Sequence, residues 1–346
     1  MFILCIMNYL TYVNHLTKSY NPRNKLIVGT DCSGTEAPIQ ALEMLGVKYD
    51  HAFSSDNDPD VIENIRHNFH PRMIYRDILK RNHSRLPKLD LYVCGFPCQT
   101  FSTLGKQMGF EDETKGTIFF ECWETIKCTK PTVFILENVK GLLTHDQGRT
   151  FKTIINCLDR LKKYNIYYQL MNTKDYGIPQ NRERIYIIGI DKKHDKGFRY
   201  PLPIPLEIGV SNILDPKLPP PELREYLYNS LTPHKIEIIN DLIDLGKITN
   251  PRQPWIVNLN VSSAKRTTPM LDVSPTLLAG NGTGCIFYLV NQQRLLTPNE
   301  YMKLQGFHPK FKSVVSRQQT YKQAGNAMSV NVLCFLLVNI FKSVNF

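Results

Sequence analysis

Val93-Cys94-Gly95-Phe96-Pro97-Cys98-Gln99-Thr100-Phe101-Ser102 is the stretch on which the reading of this chain turns. Leu89, Leu91 and Val93 read as a buried strand, and Gly95 with Pro97 ends it. Cys98 therefore emerges at a strand's carboxyl end, where open α/β sheets bind their ligands. A thiolate is a strong nucleophile, although a lone Cys is usually a small buried hydrophobe. Cys94 takes that plain reading. Cys98 is set apart by two stretches further along the chain, Phe134-Ile135-Leu136-Glu137-Asn138-Val139 and then Pro179-Gln180-Asn181-Arg182-Glu183-Arg184.

Outward from that centre, strands and helices alternate. Leu26 to Thr30 reads as a strand, Asp31-Cys32-Ser33-Gly34-Thr35 as a tight turn, and Ile39, Leu42 and Leu45 as the apolar face of a helix. Gly34 allows close approach of a ligand to the backbone, and the free amides of the first helical turn can bind a carboxylate. A second strand runs from Ala52 to Asp56, before a helix from Pro59 to about Asn68; a third, Met73 to Tyr75, precedes Asp77-Ile78. An acid ending a second strand can accept hydrogen bonds from a ribose hydroxyl pair; Asp56 and Asp77 could simply cap the helices they precede, but the ligand role is preferred for both. Thr132 to Leu136 is a strand ending in Glu137, on the same sheet edge as Cys98. Tyr167 to Met171 and Ile185 to Ile190 form a closing pair, and between them Arg182 and Arg184, two residues apart in extended chain, point to one face.

The chain has 346 residues, 42% of them hydrophobic, enough for a large core and a second, smaller domain. Its net charge of +11 favours an acidic partner, of which nucleic acid is the commonest. Nine cysteines without paired spacing argue for free thiols in a reducing, intracellular compartment, and no His stands at ligand spacing beside them, so no metal is expected. Met1 to Val13 lacks a basic flank and reads as a short packed or frayed segment; no later stretch reads as a membrane span.

Pro97-Cys98-Gln99, Glu137-Asn138-Val139 and Gln180-x-Arg182-x-Arg184, in this order and each at a strand end, resemble the signatures of the DNA (cytosine-5)-methyltransferase family. The resemblance extends from Asp31 to Val332. It implies a doubly wound, Rossmann-like α/β sheet that binds S-adenosylmethionine, and double-stranded DNA as the partner of a monomeric enzyme. Cys98 is then the nucleophile, Glu137 the group on ring nitrogen 3 of cytosine, Arg184 the holder of its carbonyl oxygen, and Arg182 their support. Asp31, Ser33, Gly34, Asp56, Asp77, Ile78 and Asn326 fall to the cofactor. Gln99, Ser102 and Lys106 fall to DNA. Departures from the family pattern are Cys32 at a common Phe position, Glu36-Ala37 for glycines, Asp56 for Glu, Lys303 for Arg and His308 for Pro.

From Asp191 to about Leu289 prolines become frequent and the motifs vanish. A small irregular target-recognition domain is expected at 191–317, inserted in a catalytic domain of 1–190 completed by 318–346. Lys265-Arg266 and Gly280 to Gly284 are its candidate DNA-facing loops. Thr297, Pro298 and Glu300 make a capping box, a sufficient structural reading for that motif. A tRNA cytosine methyltransferase is less consistent with Phe96 before Pro97-Cys98, a silent homologue with the intact signature residues, and a nicotinamide oxidoreductase with the missing glycine fingerprint.

Overall fold

A computed structural model describes residues 25–97, 118–215, 220–280 and 287–346. Contacts divide the chain into two compact units. One comprises the described parts of Tyr12–Met171 together with Glu183–Leu202 and Val332–Phe346; the other comprises Asn172–Arg182 and the described parts of Pro203–Asn331.

The first unit is built on a seven-stranded sheet, β1 (Leu26–Asp31), β2 (Tyr49–Ser55), β3 (Met73–Tyr75), β4 (Leu91–Cys94), β5 (Val133–Val139), β6 (Tyr164–Asn172) and β7 (Glu183–Asp191), in the order β3-β2-β1-β4-β5-β7-β6. The pairs from β3 to β5 are parallel, whereas β7 runs antiparallel to β5. β4 and Val133 to Asn138 of β5 are wholly buried, as strands covered on both faces must be. Helices α1 (Ala37–Met44), α2 (Pro59–Asn68), α3 (Ile118–Thr129) and α4 (Arg149–Asp159) intervene between the strands. Each of α1 and α2 begins with Pro in its first turn, where a missing N–H costs nothing. On the β5–β7 pair Phe134 stands opposite Gly189, and a Cβ there would lie 2.1 Å from the Phe134 ring, so the aromatic packs onto bare backbone.

This strand order sets the position of any site. After β3 the chain returns to the other side of β1 and lays down β4, with Asp31 paired beside Cys94. The strand order reverses there, and a crevice opens at the carboxyl ends of such neighbours. The doubly wound expectation is met.

The second unit differs from the small irregular domain that its prolines suggested. It holds helices α5 (Pro221–Asn229) and α6 (Pro233–Asp244) and an antiparallel sheet of β8 (Trp255–Asn258), β9 (Met270–Leu271), β10 (Phe287–Leu289) and β11 (Arg294–Leu295), ordered β11-β10-β8-β9. Leu227, Ile238, Leu242, Val257 and Tyr288 pack together in its core. Pro221 and Pro233 are first-turn residues of helices rather than breakers. α7 (Pro298–Leu304) carries the expected capping box: Thr297 Oγ1 accepts from the Glu300 N–H at 3.0 Å, and the Thr297 N–H donates back to the Glu300 carboxylate at 2.7 Å. α8 (Arg317–Asn326) and α9 (Val330–Ser343) complete the chain's helices. Contrary to the sequence reading, Arg317–Ser343 is long and apolar enough to cross a bilayer, but 89% of its most apolar window is buried within the protein, as in a core helix.

The contact boundaries fall at 202/203 and 331/332 rather than at 190/191 and 317/318, and 172–182 groups with the second unit. Hydrogen bonds account for that grouping: Gln180 donates to the Leu304 carbonyl, and Asn331 Nδ2 to those of Thr173 and Tyr176.

Candidate active site at the strand ends

The turn after β1 is held by its own side chains. Ser33 Oγ accepts from the Ser55 N–H at 2.8 Å and the Ser33 N–H donates to the Ser55 carbonyl at 3.0 Å, which ties the turn to the end of β2. Cys32, Gly34 and Glu36 all take left-handed backbone angles, with φ of 47°, 52° and 55°. Only the glycine does so without strain. Glu36 compensates with its side chain: one carboxylate oxygen accepts from Thr30 Oγ1 at 2.7 Å and Ser54 Oγ at 2.6 Å, wholly out of solvent.

Asp56, just past β2, is partly buried. One oxygen accepts the Gly34 N–H and the other the Asp58 N–H, each at 3.0 Å. Burial pushes its carboxyl above the usual range, against the pull of those two backbone donors. Each oxygen retains a further lone-pair direction. Among the described residues, a Cβ on Gly34 would meet nothing nearer than the Cys32 carbonyl at 4.0 Å.

Asp77 caps a short 3₁₀ turn, Ile78–Lys80, by accepting from the Leu79 N–H at 3.0 Å; Ile78 is buried. Asp31 differs from the expected ligand-facing carboxylate. It is 1% exposed, and its two oxygens receive Arg81 at 2.6 and 2.7 Å, with Tyr92 Oη also at 2.7 Å. The sequence reading did not single out Arg81, since a basic residue in a polar stretch carries no signal of a partner fifty residues away.

On β5 and β7, Glu137 and Arg184 are both buried and form an ion pair at 3.1 Å. Antiparallel register produces it: Val139 pairs with Arg184 and Glu137 with Tyr186, so the two side chains belong to neighbouring strands. Asn138 Nδ2 donates to the Phe96 carbonyl at 2.8 Å and fastens the end of β5 to the chain leaving β4. Arg182 does not share that face, as the two-residue spacing had suggested. Its guanidinium is taken up inside the second unit by the carbonyls of Leu277 at 2.7 Å, Gly325 at 3.0 Å and Ala327 at 2.7 Å. β7 begins only at Glu183, so the strand alternation assumed for Arg182 does not apply.

Cys94 keeps its plain reading: it is wholly buried, its sulfur lies 3.1 Å from that of Cys122, and burial pushes its thiol well up. Cys98, Gln99, Ser102 and Lys106 lie outside the described residues, as does most of the Gly280 to Gly284 loop. Lys265 and Arg266 are exposed on a 3₁₀ turn, Ala264–Arg266, and Asn326 is the exposed last residue of α8. Among the described residues no group of three or more His, Cys, Asp or Glu is arranged to hold a metal.

Comparisons with known proteins show the family of the chain. A family model for C-5 cytosine-specific DNA methylase matches residues 32–342. Type II methyltransferase M.HaeII of Haemophilus aegyptius is 38% identical over 274 residues, 78% of this chain and 80% of that protein. Type II methyltransferase M.Bsp6I of a Bacillus species is 34% identical over 306 residues, covering 86% and 92%. Among solved structures, a DNMT2 mutant of Spodoptera frugiperda superposes with a TM-score of 0.67 at 16% identity, over 92% of this chain and all of the other. A prophage-encoded putative DNA modification methyltransferase from E. coli gives 0.65 at 18%, over 93% and 100%. At those identities the two structures speak for the fold alone.

Proposed function

Since the chain belongs to the C-5 cytosine-specific DNA methylase family, we propose that its crevice takes S-adenosylmethionine at the β1–β2 side and a flipped-out cytosine of double-stranded DNA at the β4–β5 side. The activity is that of the family: the protein is an enzyme that transfers a methyl group from a donor to carbon 5 of cytosine in DNA.

The residues present fit the donor in part. Asp56, with a further lone-pair direction on each oxygen, suits a ribose hydroxyl pair, and the side-chain-free backbone at Gly34 suits close approach of the amino-acid end. Asp77 and Ile78 line the adenine side and Asn326 is available to the amino-acid end. Asp31 and Ser33 act by holding the turn, because their polar atoms are already engaged. S-adenosylmethionine, when bound, supplies an electrophilic methyl group on a positively charged sulfur.

Carbon 5 of cytosine is a weak nucleophile inside an aromatic ring. The Cys98 thiolate adds to carbon 6, which breaks the aromaticity and places electron density on carbon 5; after transfer the carbon 5 proton leaves and the thiolate is expelled. Glu137 holds or protonates ring nitrogen 3 as negative charge develops there, and Arg184, paired with it at 3.1 Å, keeps Glu137 in place and reaches the carbonyl oxygen. Arg182 works as a brace inside the second unit and not as a base contact. Extruding the base costs roughly a few kcal/mol, which DNA contacts from Gln99, Ser102, Lys106, Lys265 and Arg266 offset. The second unit, with its antiparallel sheet and helices α5 and α6, supplies the target recognition.

The buried Glu137–Arg184 pair at the end of β5 carries this reading. Incubation with unmethylated DNA and labelled S-adenosylmethionine, followed by base-resolution mapping, should give 5-methylcytosine at a fixed sequence. Cys98→Ala should abolish it without changing donor affinity, while Cys94→Ala retains the chemistry. Substantial turnover by Cys98→Ala removes the nucleophile assignment.

A further inference from the structure

We propose that Arg81 is a positioning residue of the cofactor pocket: its two-pronged clasp on Asp31 fixes the Asp77-Ile78 turn against the end of β1, and so sets the affinity for the methyl donor. This rests on the reading of that turn as the adenine side of the pocket.

The side chain of Arg81 is 1% exposed and that of Asp31 0%, and the pair meets at 2.6 and 2.7 Å across fifty residues of chain. A planar fork on both oxygens of a carboxylate fixes distance and orientation together, which a point charge does not. Further groups close around it. Arg81 Nη2 donates to Thr125 Oγ1 on α3 at 2.8 Å, Tyr92 Oη on β4 donates to Asp31 at 2.7 Å, and the guanidinium sits 5.0 and 5.1 Å from the ring centres of Phe53 on β2 and Tyr75 on β3. His83 continues the network, lying 3.0 Å from Thr125 Oγ1 and 2.8 Å from Glu121. Arg81 also closes the turn itself, since its N–H donates to the Ile78 carbonyl at 3.4 Å.

The clasp adds to what packing gives that turn, where Ile78 joins the hydrophobic core and Tyr75 stands edge-on to Phe53 at 5.7 Å. β3 is a three-residue edge strand, Asp77 among the described residues bonds within its own turn, to the Leu79 N–H and to Lys80, and Ile78 is the one buried residue of Ile78–Lys80. A buried ion pair is a poor source of net stability, because apolar replacements of similar size often serve as well. What it adds here is register between β1, where the cofactor turn begins, and the segment that faces the adenine.

The test separates position from stability. Donor affinity is measured by calorimetry on the full chain, and thermal midpoints are taken without donor. Arg81→Met alone should melt early, because Asp31 is left buried and unpaired. Asp31→Asn with Arg81→Met removes both charges while the introduced amide oxygen can still accept from Tyr92, and should regain most of the midpoint; its Kd for S-adenosylmethionine should nonetheless stay at least tenfold weaker than wild type. If the double variant regains its midpoint and binds within twofold of wild type, the pair is merely structural and the proposal is overturned. If it fails to fold, Arg81→Lys decides: tenfold weaker binding at a near-normal midpoint supports the clasp, and a change within twofold overturns it. Asp77→Ala distinguishes the two levels. Weakened binding there with an unaffected double variant rejects only the clasp, whereas unchanged binding rejects the adenine reading and the clasp with it.

Discussion

Asn138 Nδ2 reaches the carbonyl oxygen of Phe96 at 2.8 Å, a buried hydrogen bond between the end of β5 and the second residue before Cys98. Glu137 and the chain that carries Cys98 are thereby joined through one side chain, which explains why an Asn stands directly after the acid. Asn138→Ala removes this donor to a buried carbonyl, at a cost of about 1–3 kcal/mol. Where that cost falls on the placement of Cys98, methyl transfer slows by roughly 5- to 150-fold while donor affinity stays within twofold. Single-turnover methylation alongside donor titration checks this; an unchanged transfer rate would show that the bond does not place the loop.

Asp56 should make donor binding sensitive to acid from an unusually high pH. Its folded carboxyl is raised by burial, and only the ionised form accepts both ribose hydroxyls. Affinity is therefore full above the raised value and falls as pH drops through it, sooner than for an ordinary aspartate. The unliganded fold has the opposite sign. A carboxyl with a raised folded pKa loses stability as pH rises from its unfolded value through its folded one. Asp56→Asn should thus bind donor more weakly at neutral pH yet melt no earlier, and its affinity should be flat across the acid range. A wild-type affinity that does not fall on acidification removes Asp56 from the ribose.

How far the sequence carried can be judged residue by residue. The strands around Cys94 and Glu137 were legible because continuous apolar runs end at Gly, Pro or an acid, and the Thr297 capping box because all its parts lie within four residues. Arg182 was misplaced because alternation holds only within a strand, and the strand starts one residue later. Asp31 and Arg81 were illegible as a pair: their partnership depends on β1, β3 and the turn after it meeting in space. The helices of the second unit were hidden by prolines whose role in a first turn is conformational.

Glu36 offers a test in which two effects oppose each other. Its left-handed backbone, with φ 55° and ψ 43°, costs of order 1–3 kcal/mol for a non-glycine residue. Its carboxylate answers with hydrogen bonds from Thr30 and Ser54, and His51 Nε2 lies 3.4 Å away. Glu36→Gly and Glu36→Ala both lose those bonds, but only alanine retains the strain. Both should destabilise the fold, alanine by about 1 kcal/mol more than glycine, in the direction that a helix N-cap also favours. Urea unfolding of the two variants decides; alanine equal to or more stable than glycine would mean that the turn relaxes out of the left-handed region.

Lys265 and Arg266 are the test of target recognition. Both are exposed on a 3₁₀ turn whose first residue, Ala264, is buried in the core of the second unit, so the two charges stand on an anchored support. Exposure makes them available to DNA without saying whether they meet a base or a phosphate. The two contacts have different signatures. Loss of a base contact should cost about 1–3 kcal/mol and relax one position of the methylated site. Loss of a phosphate contact should weaken all sequences alike and reduce the slope of log affinity against log salt by about one. Binding of Lys265→Ala and Arg266→Ala to specific and unrelated duplexes over a salt series, with base-resolution methylation maps, assigns each residue. We expect at least one of them to lower the salt slope, given the net charge of +11. If neither variant alters affinity, slope or methylation pattern, this turn does not face the DNA and the Gly280 to Gly284 loop becomes the next candidate.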